Sequence, residues 1–192
     1  MAKLNGCEEF TLCGSGVGFT VNDFWSWAYS DLLNNTYRGV LAEFLVKKSL
    51  NVSTPPPENS QMRVDWAPYD ILSPSGRRIE VKSAAYLQSW SSDYYSQILY
   101  DIAPKRAWNP EIGYSPECIR HSDLYVFCLF TATSKEQSIL DLDLWKFYVL
   151  PTSVLNREKP NRKRIGLQSL LSLDPIETDF LNLGNTIETI EI

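Results

Sequence analysis

The run from Leu124 to Phe130 is apolar at every position. A strand with both faces covered reads this way, so it is predicted to lie at the centre of a sheet, within a strand spanning 122–131. Two further segments alternate with period two. Ile98, Tyr100 and Ile102 share one side of 97–102, and Trp145, Phe147 and Val149 share one side of 144–150. Helical spacing dominates earlier. From Asn22, read as the N-cap with Asp23 in the first turn, Phe24, Trp27, Ala28 and Leu32 recur at three and four as far as Asn34-Asn35. A second helix is predicted from Thr36 to about Leu50. Val40, Leu41, Phe44 and Leu45 form its core side with Lys48 alongside, and Gly39, Glu43 and Val46 lie on an adjoining side. Residues 1–20 read as an irregular arm, Asn51–Ser60 with its three prolines as a loop, and Met62–Trp66 as a strand. Thr152 is expected to cap a short helix, and 167–173 to form another. The pattern predicts an α/β fold, a mixed central sheet flanked by helices.

The stretch from Pro68 to Lys82 has the most chemistry in it. Pro74, Ser75 and Gly76 form a turn between two short strands. Glu80 and Lys82 share one side of the second strand, with Ile79 and Val81 on the other, and the hairpin brings Asp70 beside the charged pair. Two neighbouring carboxylates repel unless a proton or a cation separates them. A hard ion such as Mg2+ does this with one or two carboxylates, keeping waters and substrate phosphates as other ligands. Lys82 is then placed to position or deprotonate water, or to stabilise phosphate charge. Asp65 competes with Asp70 as the first carboxylate. Alternating Asp, Glu and Lys also suit an ordinary solvated strand, and Glu43 also suits a surface pair with Lys47.

An Asp, a turn and then Glu-x-Lys on the following strand resembles the PD-(D/E)xK nuclease superfamily, and Asp70 and Glu80-Val81-Lys82 fill that pattern over about residues 36–83. The resemblance implies a restriction-endonuclease-like core with extra C-terminal strands. It implies a Mg2+- or Mn2+-dependent phosphodiesterase acting on DNA, with metal held by Asp70, Glu80, the Val81 carbonyl and Glu43, and with Lys82 serving the attacking water. Gln88 corresponds to an accessory Gln in some branches. Many such nucleases cut both strands as homodimers. The superfamily core also has a helix after the Lys strand, and none is readable between Lys82 and Gln97.

Composition narrows the setting. At 192 residues the chain suits one domain spanning 1–192, and no apolar run approaches a membrane span. The first residues lack a signal-like hydrophobic stretch, so the expected location is cytoplasmic. The four cysteines include no Cys-x-x-Cys pair, and His121 is the single histidine, so a structural zinc site is not expected. Net charge is −5, unlike a protein that coats nucleic acid. Yet 174–192 holds five acidic residues and no Lys or Arg, and reads as an acidic tail that carries the whole of that charge. The remainder is neutral, with a basic run that includes Arg162, Lys163 and Arg164. A long loop, Pro104–Pro116, adds Lys105 and Arg106. Both are candidate phosphate contacts. The reading of another class is a catalytically inactive nuclease-fold protein, acting as a nucleic-acid- or protein-binding subunit.

Overall fold

The computed structural model describes residues 3–50, 67–90, 94–109, 111 and 113–192. The chain opens not as an irregular arm but as a hairpin, β1 (Glu9–Leu12) and β2 (Ser15–Thr20), turning at Cys13 and Gly14, both at positive φ. Helix α1 (Val21–Tyr29) starts from Thr20 rather than Asn22. The Thr20 hydroxyl accepts from the Asp23 N–H, and the Asp23 carboxylate accepts from the Thr20 N–H at 2.7 Å. This reciprocal pair satisfies two otherwise orphaned donors, which Asn22 could not. The apolar spacing of α1 faces outward: Phe24 and Tyr29 are exposed and Trp27 is 84% exposed, with Val21 the buried residue.

Helix α2 (Asn35–Leu50) buries Arg38, Ala42, Leu45, Val46 and Ser49. Val40 and Phe44, expected in the core, are exposed, and Lys48 sits over the Phe44 ring. The buried side is thus turned from the side that hydropathy selects, because a small residue, a serine and an arginine make up much of it.

Strands β3 (Ile71–Leu72) and β4 (Arg78–Ala85) pair antiparallel as the hairpin reading requires, with Gly76 at φ 86° in the turn. The chain then forms β5 (Leu99–Asp101) and a small hairpin of β6 (Trp108–Asn109) and β7 (Gly113–Tyr114). It enters β8 (Leu124–Phe130), runs through β9 (Trp145–Pro151) and continues into α3 (Thr152–Glu158). Pro151, not Thr152, occupies the N-cap position of α3, and no side chain caps it. β10 (Arg164–Gly166) pairs antiparallel with β5, α4 (Leu167–Leu171) follows, and β11 (Ile176–Thr178) leads to α5 (Phe180–Thr189).

The main sheet has the order β11-β9-β8-β4-β3, antiparallel except for the parallel pair β4–β8. The fold is mixed α/β. Every residue of β8 is buried, as its two-faced apolar pattern predicts. Ile79, Val81, Val126 and Phe147 pack on one face with α2 and α5. Tyr125, Phe127, Tyr148 and Leu150 pack on the other with β5, α3 and α4. Fully burying one such side chain contributes about 1.5–3 kcal/mol, so these two layers fix β4 firmly. The crossover from β4 to β8 contains no helix among its described residues.

Residues 174–192 are not a tail. β11 joins the sheet edge, and α5 buries Leu183 and Ile187 against α2. Gly184 permits this approach: a Cβ there would collide with the Ser49 carbonyl. Gly39, by contrast, has open space around it, so it is not what brings α2 to the sheet. Arg77, in the β3–β4 turn, donates to the Ile187 and Ile190 carbonyls at 3.0 and 2.6 Å, satisfying the end of α5. Among the described residues no helix is long and apolar enough to cross a membrane.

Candidate functional site

β3 pairs with β4 only at Arg78 and Ile79. Beyond Ile79 no described strand pairs with that edge of β4. Asp70 stands at this point. Its N–H donates to the Ile79 carbonyl at 2.9 Å, and its Oδ2 accepts from the Val81 N–H at 2.7 Å. The peptide groups of Ile79 and Val81 therefore face the open edge, and strand alternation turns that of Ser83 the same way.

Glu80 lies one residue from this contact, its side chain 8% exposed. Its Oε1 accepts from Lys82 Nζ at 2.6 Å and from Lys105 Nζ at 3.0 Å. Burial pushes the Glu80 pKa up, and the two ammonium groups more than offset that push, leaving it below the usual value. Lys105 is held above its usual value, because Glu80 outweighs the effect of burial.

Asp70 behaves in the opposite way. Burial of its carboxyl and then repulsion from Glu80 raise its pKa, with Glu43 adding further repulsion; the Val81 N–H and Lys82 act against them. The result is a pKa pushed up to about 6. As a residue Asp70 is exposed, so solvent tempers the effect. Asp70, bonded to the Val81 N–H, thus feels the carboxylates of Glu80 on β4 and Glu43 on α2.

Asp70 bonds to the Val81 N–H and Glu80 to Lys82, and Glu80, Lys82 and Glu43 of α2 lie within electrostatic reach of Asp70. Asp65, the competing carboxylate, lies outside the described residues, as do Met62–Trp66 and the three prolines. Among the described residues no three His, Cys, Asp or Glu side chains are gathered closely enough to hold one ion. The donor chemistry still suits a hard divalent ion: two oxygen-bearing side chains, an adjacent carbonyl on an open edge, and a carboxylate whose ionisation is opposed by its neighbours.

Lys105 belongs to the site and not only to a substrate loop. Its carbonyl accepts from or is approached by His121 Nε2 at 2.9 Å, and its backbone pairs with Ile119. Sequence distance hid it, since 25 residues separate it from Glu80. Arg106, Arg162, Lys163 and Arg164 are exposed. Arg164 pairs with Asp101 on β5, and the Lys163 carbonyl accepts from Ile102, so this run flanks the segment leading to Lys105. Buried Arg120 anchors it by donating to the Ile102, Lys159 and Arg162 carbonyls.

Gln88 sits elsewhere. It is buried, donates to the Ala85 carbonyl at 3.2 Å and accepts from Arg38 Nη1 at 3.3 Å. Arg38 is the residue that sequence reasoning missed. Its signal was positional: Arg38, Ala42, Leu45 and Ser49 follow helical spacing along the buried side of α2. No family model matches the chain, and a search of curated proteins finds no match.

Proposed function

We propose that the protein is a metal-dependent nuclease hydrolysing phosphodiester bonds in DNA, on a restriction-endonuclease-like core extended by β9 and β11. One observation carries this reading: Asp70 accepts from the Val81 N–H at the edge of β4 while Lys82 is bonded to Glu80, and the ionisation of Asp70 is opposed by both Glu80 and Glu43. Such mutually perturbed groups are the mark of a functional site more than of a fold-supporting one. Asp70, Glu80 and the Val81 carbonyl would hold Mg2+ or Mn2+, with Glu43 orienting a metal-bound water. When bound, that ion would polarise the scissile phosphate and acidify the attacking water.

The chain's own side chains supply the rest. Lys82 is partly sheltered and fixed by Glu80, so its ammonium can orient water and meet charge that grows on the phosphate. Lys105 adds a second cation that can exchange Glu80 for a phosphate oxygen. Arg162, Lys163 and Arg164 offer an exposed basic surface for the backbone beyond the site.

A second reading draws on the same contacts. Lys82 and Lys105 already neutralise Glu80 without any metal, which suits a nuclease-fold subunit that binds nucleic acid and does not cut. The deciding experiment is a cleavage assay on mixed DNA and RNA with Mg2+ or Mn2+. The nuclease reading expects Lys82→Ala to abolish cleavage while metal and DNA binding persist, because its role lies in the transition state. Wild-type protein that binds neither metal nor nucleic acid would sink it.

A further inference from the structure

A cavity of about 300 Å³ opens at the far end of β4, between the start of α2 and the chain that follows the strand. Its lining includes Asn35, Arg38, Ser83, Gln88, Trp90 and Ser96, and among the described residues no acidic side chain lines it.

Arg38 is 3% exposed. A buried guanidinium usually has a carboxylate partner, because its charge is costly to remove from water. Here every hydrogen bond it makes to a described residue ends on a neutral oxygen. Nη1 donates to the Leu33 carbonyl at 2.9 Å and to Gln88 Oε1 at 3.3 Å, Nη2 to Asn35 Oδ1 at 2.6 Å, and Nε only distantly to Ser83 Oγ at 3.4 Å. These bonds orient the guanidinium, and none of them brings a carboxylate to it. They also leave unused donor capacity on residues that line the cavity: one Nη2 hydrogen of Arg38, the Ser83 hydroxyl and the Asn35 amide. Burial lowers the Arg38 pKa only to about 10, so the group is charged at neutral pH.

Three further features point to an anion. The cavity lies at the N-terminal end of a 16-residue helix, where the backbone dipole favours negative charge. Tyr100, buried within electrostatic reach of Arg38, has a hydroxyl without a hydrogen-bond partner. The indole of Trp90 is exposed at the rim, offering a flat apolar face. The space exceeds that of a small inorganic ion and falls at the lower end of ligand-sized pockets, which span about 300–1,000 Å³. Ser83 follows Lys82 directly in β4, so the cavity and the carboxylate site share one strand, with the Ser83 side chain turned to the face that α2 covers.

We propose that this cavity binds one nucleotide unit of a nucleic-acid strand, its phosphate on Arg38, Ser83 and Asn35 and its base against Trp90. The identification of the ligand rests on the nuclease reading above; the anion pocket itself does not. The phosphate can be an internal diester or a terminal monoester, and the chemistry of recognition is shared. Charge-assisted bonds to Arg38 supply affinity, and stacking on Trp90 tolerates any base.

The test is binding of a short fluorescent single-stranded DNA, with EDTA present so that nothing is cut. Wild type, Arg38→Gln, Ser83→Ala and Trp90→Ala are compared across a salt series, and each variant is checked for folding by circular dichroism. Arg38→Gln is expected to weaken binding about ten- to a hundredfold and to reduce the salt slope by about 0.7, the loss of one phosphate contact on a single strand. A fold-supporting arginine would not change the slope. Should Arg38→Gln fail to fold, Ser83→Ala and Trp90→Ala carry the test, each weakening binding severalfold, since Trp90 is exposed. Oligonucleotides with a 5′-phosphate and a 5′-hydroxyl separate the two sources. A terminal site prefers the phosphorylated strand and loses that preference in Arg38→Gln, whereas an internal site binds both alike and loses both equally. Inorganic phosphate should raise the wild-type melting temperature at fixed ionic strength, and not that of Arg38→Gln. Unchanged affinity and slope in folded variants would overturn the proposal. If the cavity binds as expected but the wild type never cleaves with Mg2+ or Mn2+, the nuclease reading fails and the pocket stands. Cleavage with no effect of the cavity variants gives the reverse.

Discussion

Replacing Asp70 by Asn should stabilise the metal-free protein at neutral and alkaline pH while abolishing cleavage. The Asn side chain keeps an oxygen to accept from the Val81 N–H and removes the charge opposed by Glu80 and Glu43. The sign follows from linkage. The folded pKa of Asp70 is raised from 3.8 to about 6, so the folded state holds this proton more tightly than the unfolded chain. The favourable contribution of the carboxyl is complete below pH 3.8 and is lost as pH rises through about 6. Above that, ionised Asp70 costs stability that Asn does not. A shift of this size corresponds to roughly 3 kcal/mol without screening. Asp70 is exposed as a residue, so screening brings the expected difference to on the order of 1 kcal/mol. For a chain of this length that is about 2–4 °C in melting temperature. The assay is thermal unfolding in EDTA from pH 4 to pH 8. The Asn variant should gain on the wild type as pH rises through 6 and level off above. Adding Mg2+ at pH 8 should raise the wild type alone. A difference independent of pH, or a variant that is less stable at pH 8, would refute the electrostatic reasoning.

Two other substitutions probe contacts outside the carboxylate pair. Lys105→Met removes one of the two cations on Glu80, and calorimetry should show Mn2+ binding severalfold more tightly; in a subunit without a metal site no Mn2+ heat would appear. Gly184→Ala drives a methyl into the Ser49 carbonyl and should destabilise the protein by about 1–3 kcal/mol by denaturant titration, with Gly39→Ala neutral or stabilising as the control in open space.

What could be read from the chain depends on where the determining contacts lie. The hairpin was legible because its causes are local: a turn-forming Pro74-Ser75-Gly76 and side chains that alternate on both sides of it. β8 was legible because its pattern needs no partner to interpret. The α2 stripe was misread because Arg38, Ala42 and Ser49 are buried by what α5 and β4 present to them, and hydropathy ranks them below Val40 and Phe44. At the C-terminus, counting charge concealed a second pattern. Leu183, Ile187 and Ile190 recur at helical spacing and are buried, while the acids around them make that segment look like a solvated tail. Lys105 could be seen as a basic loop residue, but its pairing with Glu80 is set by the crossover that returns the chain past β4.

The open edge of β4 has a simpler explanation that must be met on its own terms. Exposed strand edges invite pairing with other chains, and proteins blunt them with charged side chains, lysine above all. Lys82 and Lys105 would serve that purpose. Glu80 would not, because a protective charge gains nothing from being withdrawn from water, and burial opposes its ionisation. Nor does edge protection call for a second carboxylate beside it. Asp70 is made harder to ionise by Glu80 and by Glu43. An edge under selection only against aggregation would be better served by a neutral residue at position 70, which could still accept from the Val81 N–H. The unfavourable part of the arrangement is therefore the informative part: it is the feature that protection leaves unexplained and that binding a cation or a proton at this edge would account for.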